Sequence, residues 1–163
     1  MAAEAGHDVD VRALIKKGSD VNKRITDGRT PLYVARQNGH EAIARALIKA
    51  GADVNKAPGN DGVTPLFVAT RNGHDAVVRA LCEAGVDVNK ANDLDGWRPL
   101  HVAAREGNAV ATRALIEAGA DVDKGVDNPR ILPMHGMTPL SFAAHMNHKA
   151  VMRVLIEAGA KKA

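Results

Sequence analysis

Between Asp75 and Glu83 the apolar residues Val77, Val78, Leu81 and Cys82 recur on one side of a 3.6-residue period, and Asp75, Arg79 and Glu83 take the other. The pattern predicts an amphipathic helix that Gly85 ends. Ahead of it, the spacing predicts a shorter helix over Pro65–Asn72. Thr64 offers its hydroxyl to an orphan backbone N–H, and Pro65 has no N–H to strand in the first turn. Gly73 stops this helix, since a left-handed residue at a helix end costs least without a Cβ. Before both helices, Gly51-Ala52-Asp53-Val54-Asn55 reads as a short extended stretch, and 57–62, with Pro58, Gly59 and Gly62, as a tight turn. A unit of hairpin-like turn, helix, turn and helix cannot bury its apolar faces alone.

The unit recurs. Thr30-Pro31-Leu32-Tyr33, Thr64-Pro65-Leu66-Phe67, Arg98-Pro99-Leu100-His101 and Thr138-Pro139-Leu140-Ser141 stand at intervals of 34, 34 and 40 residues. Gly18-Ser19-Asp20-Val21-Asn22, Gly51-Ala52-Asp53-Val54-Asn55, Gly85-Val86-Asp87-Val88-Asn89 and Gly119-Ala120-Asp121-Val122-Asp123 keep the same beat, as do Asn38-Gly39-His40 and Asn72-Gly73-His74. Self-similarity of this kind predicts an all-α repeat solenoid: stacked helix-turn-helix units joined by β-hairpin-like turns, each leaning on its neighbours. The array is expected to fill residues 1–163 as a half unit (1–17), full units at 18–50, 51–84, 85–118 and 119–158, and a tail at 159–163. Six extra residues lengthen the turn between Lys124 and Gly136 of the last full unit.

A period of 34 also fits tetratricopeptide repeats, but those lack the Thr-Pro-Leu start and the Gly-Ala-Asp-Val-Asn turn. The combination closely resembles the ankyrin repeat family over nearly the whole chain. The resemblance implies a curved solenoid whose turn tips and first helices line a concave partner-binding surface. It also implies a structural role for His40, His74 and His148.

Composition narrows the function. Tyr33, Phe67, Trp97 and Phe142 are the only aromatic residues besides histidine, so Ala, Val, Leu and Ile must do the packing. Cys82 is the sole cysteine, which rules out a disulfide within the chain and fits the cytoplasm or another reducing compartment. Residues 1–17 hold no hydrophobic signal core, and nowhere do 18 apolar residues run together, so no membrane partner is expected. A net charge of +3 is too mild to favour nucleic acid. Seven histidines are scattered among poor ligand sets, so neither a metal nor a cofactor is expected. Cys82 lies on a buried stripe and Ser141 has no base spaced to serve it, which argues against catalysis.

What remains is binding. Trp97 sits at the base of a turn tip, and tryptophan is the residue type most enriched in interface hot spots. Beside it Arg98 replaces the threonine cap, at a cost of about 1 kcal/mol. Arg36, Arg71 and Arg105, with Arg29 nearby and Asn38 and Asn72 between them, read as a basic stripe suited to an acidic partner protein. Ile131, Leu132 and Met134 in the lengthened turn, then Met137, His145 and Met146, complete the candidate set. The competing readings are a Trp97 ring packed flat on the neighbouring hairpin, a loop folded back over the last helices, and a merely solvated row of charges. The expected function is an interaction module or adaptor, a monomer or one subunit of a hetero-complex. A structural accessory subunit and the substrate-docking part of a longer enzyme are the alternatives.

Overall fold

The computed structural model describes residues 7–24, 28–55, 62–130 and 133–161, and in it the periodic segments are helices. They are α1 (Asp8–Lys16), α2 (Pro31–Gln37), α3 (Glu41–Lys49), α4 (Pro65–Arg71), α5 (Asp75–Glu83), α6 (Pro99–Arg105), α7 (Ala109–Glu117), α8 (Pro139–His145) and α9 (Lys149–Glu157). Each short helix packs on the longer one that follows it. The short helices α2, α4, α6 and α8 form one layer and α1, α3, α5, α7 and α9 a second. The segments between units form turns, with no strand among the described residues.

Local chemistry sets the helix ends. Thr30, Thr64 and Thr138 each accept a hydrogen bond at 3.2 Å from the backbone N–H three residues on, and a proline opens each helix. Between the paired helices Gly39, Gly73 and Gly107 adopt φ near +71°, and Asn147 holds the same place with φ 57°. At Gly39 and Gly107 a second reason operates. A Cβ would stand 2.7 Å from the rings of His74 and His148 respectively. Those rings are ties between units: His74 Nε2 donates to the Gln37 carbonyl at 3.0 Å, and His148 Nε2 to that of Arg105 at 2.9 Å.

Ala35, Ala69, Ala103 and Ala143 are fully buried at one repeating position, which lets the short helices approach closely. Three arginines of the longer helices, Arg12, Arg45 and Arg113, form exposed ion pairs. Arg45 meets Glu41 and, across to α5, Glu83, each at 3.0 Å, while Arg113 reaches Glu157 of α9 at 3.9 Å. Pairs this exposed contribute little.

A polar ladder runs along the turns. Asn22 Oδ1 accepts from the Asp53 N–H at 2.8 Å, Asn55 from Asp87 at 3.3 Å and Asn89 from Asp121 at 2.9 Å. Asn22 and Asn89 also donate through Nδ2 to the carbonyls of Gly51 and Gly119. The aspartates Asp20, Asp53, Asp87 and Asp121 brace the same turns by accepting from the N–H two residues on. Asn89→Ala removes one donor and one acceptor from this ladder and should cost about 1–2 kcal/mol in urea denaturation. Asn89→Asp, which keeps the acceptor, should cost less. Equal stability of wild type and Asn89→Ala would show that water replaces both bonds.

Candidate partner-binding face

The ends of the short helices are the exposed part of their layer. Gln37, Arg71, Arg105 and His145 share one register position there, followed by Asn38, Asn72, Glu106 and Met146, and all eight are exposed. Arg36 does not belong to this row. It lies one residue earlier, in register with Thr70, Ala104 and Ala144, and a step of one residue turns a helical side chain by about 100°. Its side chain is therefore fully buried instead of facing a partner. Nε donates to the Leu32 carbonyl at 2.9 Å, and the guanidinium lies 5.5 Å from the Tyr33 ring centre. The two terminal nitrogens have no hydrogen-bond partner among the described residues. Burial pushes this guanidinium down to about 9. An unmatched buried cation is costly, so Arg36→Thr, the residue α4 carries at this place, should raise stability by about 1–3 kcal/mol. A loss in thermal or urea denaturation would mean that the arginine stem packs better than its charge costs.

Trp97 also departs from expectation. It is 6% exposed and belongs to the core, so it is no free hot spot. Its ring meets Phe142 of α8 at 4.6 Å and His101 at 6.5 Å, and the Arg105 guanidinium lies 5.4 Å from the ring centre. The cause is room and partners: α8 supplies Phe142 where the other short helices carry valine, and a flat ring gains most by filling that junction. The indole Nε1–H has no acceptor among the described residues.

Arg98 is half-buried and employed within the chain, its Nη1 donating to the Gly125 carbonyl at 3.1 Å. The missing threonine cap is compensated by His101. Its Nδ1 accepts from the Arg98 N–H at 3.1 Å, and its Nε2 donates to the Lys124 carbonyl at 2.9 Å. Because a backbone N–H can only donate and a carbonyl only accept, these partners define a neutral ring protonated at Nε2. Burial, first among the causes, pushes His101 down to about 4.

The lengthened turn is braced at its base. The Val126 N–H donates to the Met137 carbonyl at 3.0 Å and the Gly136 N–H to the Val126 carbonyl at 2.9 Å. Asn128 Nδ2 donates to the Leu94 carbonyl at 3.0 Å, which fastens this turn to the preceding one. Gly96 makes the approach possible, since a Cβ there would come within 3.0 Å of the Asp127 carbonyl. Met137 packs against the core and is only half-exposed, whereas Met134, His145 and Met146 are exposed. Ile131 and Leu132 lie outside the described residues. Arg29 is half-exposed, its Nη1 donating to Gln37 Oε1 at 3.3 Å, and Asn72 Nδ2 donates to the Gln37 carbonyl at 3.0 Å.

Between the turns that precede α4 and α6 lies a cleft of about 170 Å³. Val63, Phe67, Trp97 and Val102 line it together with Arg71, Arg105, Leu94, Asp95 and Glu106. Leu94 is 66% exposed, and sequence reasoning passed it over. A signal was present: it is an aliphatic residue where the two preceding units carry Thr26 and Asn60.

Charge is mixed along the described turns and short helices: Lys17, Lys23, Arg24, Arg29, Arg36, Arg71, Lys90, Arg98, Arg105, Lys124 and Arg130 stand against Asp20, Asp53, Asp87, Asp93, Asp95, Glu106, Asp121, Asp123 and Asp127. The local excess lies at the ends of α4 and α6, where the exposed Arg71 and Arg105 have one acid, Glu106, beside them. No three His, Cys, Asp or Glu side chains among the described residues come together as metal ligands would. Burial raises the Cys82 thiol to about 11, which keeps it protonated at neutral pH.

Two layers of short antiparallel helices, stacked through ladders of His and Asn side chains and joined by capped turns, define a helical repeat protein. A family model of ankyrin repeats in three copies matches residues 1–92 and 85–163, and the chain belongs to the ankyrin repeat family. Among curated proteins none matches it significantly. Ankyrin repeats are generally protein-interaction modules and typically carry no catalysis. No helix among the described residues is long and apolar enough to cross a membrane.

Proposed function

We propose that this chain is an adaptor-type interaction module whose turns and short-helix ends bind an acidic protein surface, in a reducing compartment. Two exposed arginines at one repeating position of that face, Arg71 and Arg105, with a single 3.8 Å carboxylate contact among the described residues, carry the reading. Arg71 and Arg105 stand at its centre, Arg29, Asn38 and Asn72 on one flank, and Met134, His145 and Met146 on the other. Trp97, Arg98 and Met137 act from beneath by holding the turns. A second reading, an accessory subunit of a larger assembly, draws on α9, where Met152 and the 44%-exposed Ile156 line an apolar depression.

Selection from a displayed peptide library tests the first reading. Acidic peptides should be enriched, and their binding should weaken with salt. Arg71→Glu combined with Arg105→Glu should reduce affinity by about tenfold or more, equivalent to about 1.4 kcal/mol. Arg79→Glu on α5 should leave it unchanged. The reverse pattern would place the working surface on the longer helices.

A further inference from the structure

Resting on that reading, we propose that the cleft between the turns before α4 and α6 is the anchor of the surface. It takes one acidic side chain followed by an aliphatic one, from an extended segment of the partner protein. Size comes first: about 170 Å³ holds one or two side chains, not a helix.

Charge decides the first side chain. Arg71 is exposed and makes no ion pair among the described residues. Among the described residues Arg105 meets one carboxylate, Glu106, at 3.8 Å, and its guanidinium lies 5.4 Å from the Trp97 ring centre, which orients the fork. Asp95, the other acid in the cleft, accepts from the Trp97 N–H at 3.1 Å and forms no ion pair with either arginine among the described residues. A carboxylate entering here meets Arg71, which has no ion pair among the described residues, and Arg105, whose one described pair is 3.8 Å long. Trp97 lines the same cleft through its ring.

Leu94 decides the second side chain. It is the most exposed apolar residue of the described turns, yet its turn is rigid: Asn92 Oδ1 accepts from the N–H groups of Asp95 and Gly96, and Asn128 holds the Leu94 carbonyl. An exposed aliphatic side chain held in place beside Val63 is a preformed apolar contact, and covering it requires no reordering of the protein.

Trp97 is the only tryptophan, so its fluorescence reports on the cleft. The probe is the capped peptide acetyl-Gly-Glu-Leu-Gly-amide, whose one carboxylate is the glutamate side chain, titrated while amide resonances are followed by NMR. The expected result is a saturable change in Trp97 emission with shifts at Leu94, Asp95 and Arg105, in the millimolar range usual for so small a ligand. Peptides with Gln for Glu or Gly for Leu, and the Arg71→Gln protein, should bind at least about threefold more weakly, and Arg79→Gln normally. Shifts confined to Gln37, His145 or other short-helix ends, with Trp97 silent, overturn the anchor and leave the broader face standing. Shifts confined to α5 and α7 overturn both. No response at all overturns the anchor.

Discussion

Trp97→Ala is expected to destabilise the protein by about 3–5 kcal/mol, the range for deleting a large buried aromatic. The ring is 94% buried, lies 4.6 Å from Phe142, and joins the turn before α6 to α8, so its loss opens a hole between two units rather than within one. In a stack held by neighbour interfaces such a hole uncouples α8 and α9 from the rest. Urea denaturation should show the loss, with the C-terminal helices melting first. Trp97→Phe, which keeps an aromatic ring at the junction and removes an N–H without an acceptor, should lose less than half as much. A cost below about 1 kcal/mol for the alanine variant would mean that Phe142 and His101 collapse into the space.

Acid should loosen the same junction. His101 titrates near 6.5 when unfolded and near 4 in the fold, so the unfolded chain binds its proton first as pH falls. Stability from this group is complete above pH 6.5 and is lost progressively down to about 4, by roughly 3 kcal/mol in all. The mechanism is visible in the partners: a proton on Nδ1 would face the Arg98 N–H that now donates to it. His101→Gln should remove this slope from the stability profile while the contribution of the carboxylates, common to both proteins, cancels in the comparison. Parallel profiles of wild type and variant between pH 4 and 6.5 would show that the proton finds room.

Helix order was readable because its signals are local. The helix predicted from Asp75 to Glu83 is α5 to the residue, and proline, threonine and glycine mark the ends of its neighbours. The phase of the asparagine ladder was readable too, since Asn22, Asn55 and Asn89 recur at one place in their units, with Asp123 taking it in the last. Side-chain direction at the face was less so. Arg36 and Arg71 look alike in sequence, but they stand 35 residues apart in a chain of 34-residue units, and that single residue turns one inward. Trp97 is at a turn base, as expected, but its direction depends on Phe142, 45 residues away. The rule broken at Arg98 was visible. Its repair by His101 was not, because it uses a carbonyl of the following unit.

The binding face itself is open to one decisive experiment: amide hydrogen exchange on the protein alone and saturated with an acidic peptide recovered by display. Protection is expected in the turns at 62–64 and 90–98 and at the ends of α4 and α6 around Arg71 and Arg105, with α5 and α7 unchanged. Protection confined to α5 and α7 would contradict binding through the turns and short helices.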